Sequence, residues 1–151
     1  MAIVYLIIKF IHIFAAIVAV GANITYGAWL ARAGSEPAHT TFALKGVKFI
    51  DDRIANPAYG VVLLTGLIMA IWGFGFFHLW IIVALVLFIV AIILGVVVYT
   101  PLLRNQIRLA ESGETTSPEY VRLSNQGRLI GPAIGLIVAV ILVMMVFKPG
   151  P

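Results

Sequence analysis

The sequence is short of charge, since only 11% of its 151 residues are charged, whereas a soluble globular domain carries about a quarter. The charges also leave long stretches empty: residues 10–31, 54–103 and 129–147 contain none. About 20 apolar residues form a helix that crosses a bilayer core of about 30 Å. The three uncharged stretches therefore predict one, two and one membrane spans, and they exclude a soluble domain.

Several chemical groups are missing altogether. The absence of cysteine excludes a disulfide framework, a cysteine-ligated metal centre and a thiol nucleophile. No Asp or Glu lies within the predicted spans, which argues against a proton relay or a cation-coupled carrier, because both need an intramembrane carboxylate. These spans therefore hold no paired carboxylates, and the chain has neither a glycine-rich phosphate loop nor a His-x-x-x-His motif. The sequence therefore leans towards a protein that is not an enzyme.

What remains predicts an all-α fold, a four-helix transmembrane bundle that forms a single integral membrane domain over residues 1–151. Its predicted spans are about 3–33, 57–77, 79–103 and 132–147. Eight of the ten Lys and Arg residues lie in or beside the two intervening polar loops, 34–56 and 104–131. The positive-inside bias makes these loops cytoplasmic, so that both termini lie outside.

The two halves of the chain resemble each other. Residues 53–60, Arg-Ile-Ala-Asn-Pro-Ala-Tyr-Gly, share Arg, Pro, Ala and Gly with residues 128–135, which lie 75 positions later. This match predicts two helical hairpins arranged as a parallel repeat, and coincidence among common membrane residues is the alternative. The polar segments just upstream, 40–55 and 117–130, either lie on the membrane surface or extend the spans.

Small and interfacial residues predict how the bundle packs. Gly127, Gly131 and Gly135 form a small-residue stripe at the start of the fourth span, and Ala15 and Ala19 form another on the first. The residues expected to anchor the bundle at the membrane interface are Lys9, Arg53, Arg128, Trp72 and Trp80. The expected partners are the lipid bilayer and either other transmembrane subunits or a second copy. Nucleic acid is not expected, because the basic residues flank apolar spans without interleaved aromatics.

One face of the first span is polar. Its members, which recur every three or four residues, are Lys9, His12, Ala16, Ala19, Asn23 and Tyr26. Such a stripe is expected to face the bundle interior. At a similar predicted level lie His78 and Met144, so that His12, His78 and Met144 are candidates to ligate haem b iron or copper. The alternative is that His12 forms an ordinary hydrogen bond, His78 belongs to the aromatic belt and Met144 packs in the core.

The motif Lys9-x-x-His12-Ile13-x-Ala15-Ala16, with Gly21 after it, resembles the first helix of small bacterial predicted integral membrane proteins. These form the domain-of-unknown-function family numbered twenty-two sixty-nine, and Pro57-x-x-Gly60, Thr65-Gly66-Leu67 and the closing Met144-Met145-Val146-Phe147-Lys148-Pro149 fit the same pattern. The resemblance implies a multi-pass protein of the bacterial inner membrane with no assigned activity. More remotely, the first helix is similar to that of the copper-resistance D and protoporphyrinogen-oxidase J proteins. In those proteins a histidine at the position of His12 supports haem or metal roles.

The sequence as a whole predicts a small non-catalytic membrane protein that acts through helix–helix contacts as an accessory subunit of a larger complex. Haem or another cofactor is not expected under this hypothesis. The alternative is a haem b- or copper-binding redox or transport protein that uses His12. A solute carrier is a third hypothesis, which the carboxylate-free spans disfavour.

Overall fold

Four long helices make up the computed structural model, which describes residues 2–33 and 36–150. Helix α1 is Ala2–Ala33, and helix α4 is Pro118–Phe147. Helix α2 is the uninterrupted run of Pro37–Ile50, Asp51–Ala55, Asn56–Met69 and Ala70–Phe74. Helix α3 is the run of Leu79–Ile93, Leu94–Tyr99 and Thr100–Glu111. The described residues contain no strand, and the predicted four-helix fold is confirmed.

Most of the sequence interpreted as polar loops, 34–56 and 104–131, is helical. From Pro37 onward the first of these segments is continuous with the second span, while the other contains the end of α3 and the start of α4. Segments 40–55 and 117–130 thus extend the spans. At about 1.5 Å per residue, helices of 30 to 36 residues are about 45 to 54 Å long. Because the hydrocarbon core is only about 30 Å thick, part of each helix projects beyond it.

Two prolines inside the long helices follow wider, π-helical turns. A proline has no backbone N–H, and its ring clashes with the carbonyl four residues earlier in an α-helix. Pro57 follows the π-helical turn Asp51–Ala55, and Pro101 follows the π-helical turn Leu94–Tyr99. The wider turns accommodate the proline ring without ending the helix. Pro132, the predicted repeat of Pro57, instead lies within an α-helical segment.

The helices pack as two antiparallel pairs, α1 with α2 and α3 with α4. The pairs meet where Pro37–Ile50 of α2 lies against Thr100–Glu111 of α3. Gly75 and Gly113, with φ of 77° and 80°, lie in the turns after α2 and α3, where a left-handed backbone suits glycine. The two pairs are the two hairpins that the sequence predicts.

The bundle has two regions of different character. The region that we call the charged end, residues 26–33, 36–55 and 100–130, carries fourteen of the sixteen charged residues. It also contains the largest fully buried side chains, Leu44, Val47 and Leu103. We call the remainder of the bundle the apolar half. In an 18-residue apolar stretch of each helix, at most 22% of the residues are buried. The spans therefore present most of their apolar surface to lipid.

Candidate functional site

Polar side chains of α1 contact polar side chains of α2 at three levels of their interface. From the apolar half to the charged end, the pairs are His12 with Thr65, Asn23 with Tyr59, and Tyr26 with Asp51. All three α1 members belong to the polar stripe in the sequence, and the structure places that stripe against α2. We call this line of contacts the polar seam.

The ring of His12 is hydrogen-bonded to Thr65. His12 Nδ1 lies 2.9 Å from Thr65 Oγ1, and the Thr65 hydroxyl donates its proton to the Val61 carbonyl oxygen at 2.6 Å. With its proton engaged there, Thr65 Oγ1 accepts from the tautomer of His12 that carries its hydrogen on Nδ1, and the Val62 carbonyl oxygen also interacts with the ring. A neutral imidazole is the form of histidine that binds a metal.

Glycine at position 66 makes room for the His12 ring. A Cβ atom added to Gly66 would lie 3.1 Å from Cε1 of His12 and 3.6 Å from its Nδ1. Thr65 and Gly66 together therefore hold the ring, one by a hydrogen bond and the other by leaving space. Neither residue was a candidate from the sequence, because only the packing of α1 on α2 brings them to His12.

At the charged end of the seam, the carboxyl group of Asp51 is buried. Asp51 is 8% exposed, and its two oxygens each accept a hydrogen bond. The Tyr26 hydroxyl donates to Oδ1 at 3.1 Å, and the Asn56 amide donates to Oδ2 at 3.3 Å. Tyr99 of α3 packs against the same buried cluster as Tyr26.

The sequence alone places Asp51 in the polar segment 40–55 and does not identify it as a candidate site residue. The spacing of its neighbours could have identified Asp51 as a buried residue. Together with Asp51, the buried residues Leu44, Val47, Ala55 and Ala58 form a series with steps of three or four residues. Asp51 lies in the same register, on the buried face of an amphipathic helix. A polar residue in that register points to a buried hydrogen-bonded group instead of a solvated one.

The other two candidate ligands have different neighbours. His78 precedes the first turn of α3, and its ring centroid lies 6.3 Å from that of Trp80. Met144 packs on the cluster of Ala70, Trp80 and Ile81. The structure thus brings His78 and Met144 to Trp80 and places His12 against Thr65 and Gly66. Among the described residues, no group of three or more His, Asp or Glu side chains is arranged to hold a metal ion.

The residues predicted for helix packing divide into two groups. Ala15 and Ala19 are buried in the bundle, and a Cβ on Gly127 would lie 3.4 Å from the Leu102 side chain of α3. A Cβ on Gly131 or Gly135 would have no atom outside its own helix within 4 Å. The first group thus packs within the chain, whereas the last two glycines of the stripe lie on open surface.

The predicted interface anchors divide similarly. Lys9, Arg53 and Arg128 are exposed, as is Trp72, at 63%. Trp80, by contrast, is only 6% exposed, and the Lys148 ammonium nitrogen lies 5.4 Å from its ring centroid. Trp80 is buried because Met144 and Met145, at the end of α4, pack against its cluster. The enrichment of tryptophan at membrane interfaces does not predict such a contact between helices.

Comparisons with known proteins identify the family of the chain. No match was found among curated proteins or among solved structures. Residues 6–149 match the family DUF2269, described as a predicted integral membrane protein. The match includes all four candidate spans apart from the first residues of α1. The chain therefore belongs to the DUF2269 family of predicted integral membrane proteins.

Proposed function

We propose that this protein is a non-catalytic accessory subunit of a larger membrane complex, which it joins by packing α4 against a transmembrane helix of another subunit. The observation that carries the proposal is the open small-residue face of α4. Gly131, Gly135 and Ala139 lie four residues apart on one side of the helix, and neither glycine has an intramolecular neighbour that a Cβ would meet.

Glycines on a lipid-facing helix surface need an explanation. A glycine within a helix costs about 1 kcal/mol relative to alanine, and lipid chains place no demand on the size of a side chain. Small residues do allow the backbone of another helix to approach closely, which drives association in membranes. No residue in the most apolar window of α4 is buried within the chain. A partner helix is thus the occupant that this face suits.

The test compares two equivalent substitutions in the protein's own membrane. Gly135→Leu fills the proposed face, whereas Gly60→Leu places the same side chain at an exposed glycine of α2 that also has nothing within 4 Å. Both changes favour the helix, so neither is expected to unfold the chain. In a native gel of mildly solubilised membranes, the wild type and Gly60→Leu should migrate as a complex and Gly135→Leu as the single chain. A single chain for the wild type, or equal migration of the two variants, would contradict the proposal.

For the orientation, we propose that the charged end faces the cytoplasm of a bacterial inner membrane and that both termini lie outside, on the grounds of the basic residues around 34–56 and 104–131. Because the chain has no cysteine, a single introduced cysteine reports which side of the membrane its position faces. An impermeant thiol reagent applied to spheroplasts should label Phe77→Cys, in the turn before α3. Thr116→Cys, in the turn before α4, should be labelled only after lysis, and the reverse pattern would invert the orientation.

A second candidate function is haem b or copper binding through His12. It is favoured by the hydrogen bond between His12 Nδ1 and Thr65 Oγ1, because an outer partner of this kind orients a metal-ligating histidine. Bound haem would supply electron transfer, and His12 is the residue that would hold it. Under this candidate, the protein shows a reduced-minus-oxidised haem band, or stoichiometric copper, that is lost in His12→Gln. The exposed His39, which pairs with Glu36, provides the control variant His39→Gln. Purified wild-type protein without either signal excludes this candidate.

A further inference from the structure

We propose that Asp51 is a reversible proton-binding site and that it holds its proton at neutral pH. The site lies on the polar seam at the boundary between the charged end and the apolar half. It is independent of the α4 surface to which the accessory function is assigned.

The first argument is the burial of the carboxyl group among neutral partners. Asp51 is nearly inaccessible, and its two hydrogen bonds come from a phenol, Tyr26, and an amide, Asn56. Neutral donors satisfy the oxygens but leave a negative charge uncompensated. An isolated buried charge is costly, and a carboxyl group in such a place avoids the cost by taking up a proton.

The second argument is the distribution of charge around the site. The titratable and charged groups around Asp51 are Tyr26 from α1, which contacts it, Lys48 and Asp52 from its own helix, and Tyr59 and Tyr99, which pack on the same buried cluster as Tyr26. Lys48 is the cation of this set, and it forms its ion pair with Asp52. Within the described part of the chain, no Lys, Arg or His nitrogen lies within 4 Å of the Asp51 carboxylate. The Lys48–Asp52 pair has no net charge, so that it does not neutralise Asp51.

The third argument is that the surroundings suit both states of the group. A tyrosine hydroxyl both donates and accepts, so Tyr26 donates to the Asp51 carboxylate and is able to accept from the Asp51 carboxyl. The exchange consists of one proton leaving the Asp51 O–H bond for water, or returning from it, with no other reactant. The adjoining Asp52 is exposed, which places Asp51 one residue away from the surface of the charged end. The π-helical turn Asp51–Ala55 is itself a feature that is frequent at functional sites.

The test is infrared spectroscopy of the full chain in bilayers of ether-linked lipids, because the ester carbonyl groups of ordinary phospholipids absorb where a protonated carboxyl group does. Exposed Asp and Glu side chains ionise near pH 4, so at neutral pH a carboxyl C=O stretching band reports a buried, protonated group. The wild type should show this band at neutral pH and lose it in strong alkali. Asp51→Asn should abolish the band, whereas Asp52→Asn, at the neighbouring exposed carboxylate, should leave it unchanged.

The second measurement compares the carboxyl band in two tyrosine-to-phenylalanine variants. Tyr26→Phe removes the hydroxyl that contacts Asp51 and should shift the frequency of the band without abolishing it. Tyr5→Phe, at a ring that packs on Gly73 in the apolar half, should leave the frequency unchanged. The absence of a carboxyl band in the wild type at neutral pH would overturn the proposal, as would its persistence in a folded Asp51→Asn. If Asp51→Asn does not fold, an identical frequency in the wild type and in Tyr26→Phe would overturn it.

Discussion

The charged end and the apolar half of this bundle are built from the same four helices but are packed in different ways. At the charged end, Leu44, Val47 and Leu103 are almost completely buried, and ion pairs such as Lys45 with Glu111 lie outside them. In the apolar half most side chains of the spans are uncovered. The exceptions at contacts between helices are mostly small or polar residues, such as Ala19, Ala84 and Thr65, together with a few large apolar side chains, Trp80, Ile81 and Phe88.

The difference follows from what surrounds each region. Where the helices project beyond the hydrocarbon core, burying a leucine removes it from water, which is worth about 25 cal/mol per Å² of apolar surface. In a bilayer that driving force is missing, because lipid chains are as apolar as leucine. Helices there associate through close approach and hydrogen bonds instead. The His12–Thr65 contact over Gly66 combines both kinds of interaction.

The largest expected effect tests this contrast with the same substitution in both regions. Leu103→Ala should reduce the free energy of unfolding by about 2 to 5 kcal/mol, because it leaves a cavity in a water-excluded core. Leu136→Ala, at a side chain of α4 that is 68% exposed, should cost less than about 0.5 kcal/mol. Circular dichroism during titration with a denaturing detergent measures both. Equal losses of unfolding free energy in the two variants would contradict the proposed difference in packing between the two regions.

An intermediate effect concerns close approach in the apolar half. Gly66→Ala places a Cβ against the ring of His12, which its hydrogen bond to Thr65 holds in place, and should cost about 1 to 3 kcal/mol of unfolding free energy. Gly60→Ala, where nothing lies within 4 Å, should leave stability unchanged or raise it by up to about 1 kcal/mol. The same titration compares them. A stable Gly66→Ala would show that the His12 ring is not confined.

The smallest effect is expected at the surface of the charged end. Lys45→Ala removes the ion pair with Glu111, whose side chains are 55% and 50% exposed. Exposed pairs of this kind contribute about 0 to 1 kcal/mol, and salt screens them. The loss should therefore shrink further in high salt. A loss that exceeds that of Leu103→Ala would contradict the view that buried leucines, not ion pairs, hold this region together.

Local chemistry made part of the fold predictable. The uncharged stretches locate the four apolar helices, and the start of α4 is capped by residues that are adjacent in the sequence. In the structure, Ser117 Oγ accepts from the Tyr120 N–H at 3.1 Å, and Pro118 occupies the first turn. Capping depends on residues within one turn of each other, so that the sequence contains the whole signal.

The candidate site was less predictable because it depends on contacts between helices. The spacing on α1 identifies His12, Asn23 and Tyr26 as one polar face, but it does not identify their partners on α2. The charges around Asp51 are typical of a polar loop, whereas its apolar neighbours Leu44, Val47 and Ala55 continue the helix and are buried. The open position of Gly131 and Gly135 likewise emerges only when every helix is in place.

The central claim, that the small-residue face of α4 binds another transmembrane helix, is tested most directly by photo-crosslinking in the protein's own membrane. A photoreactive side chain at Ala139 lies on the proposed face, and one at Leu64, a 63% exposed position of α2, provides the control. The account predicts a discrete protein adduct from Ala139 and only lipid adducts from Leu64. Lipid adducts alone at both positions would contradict it.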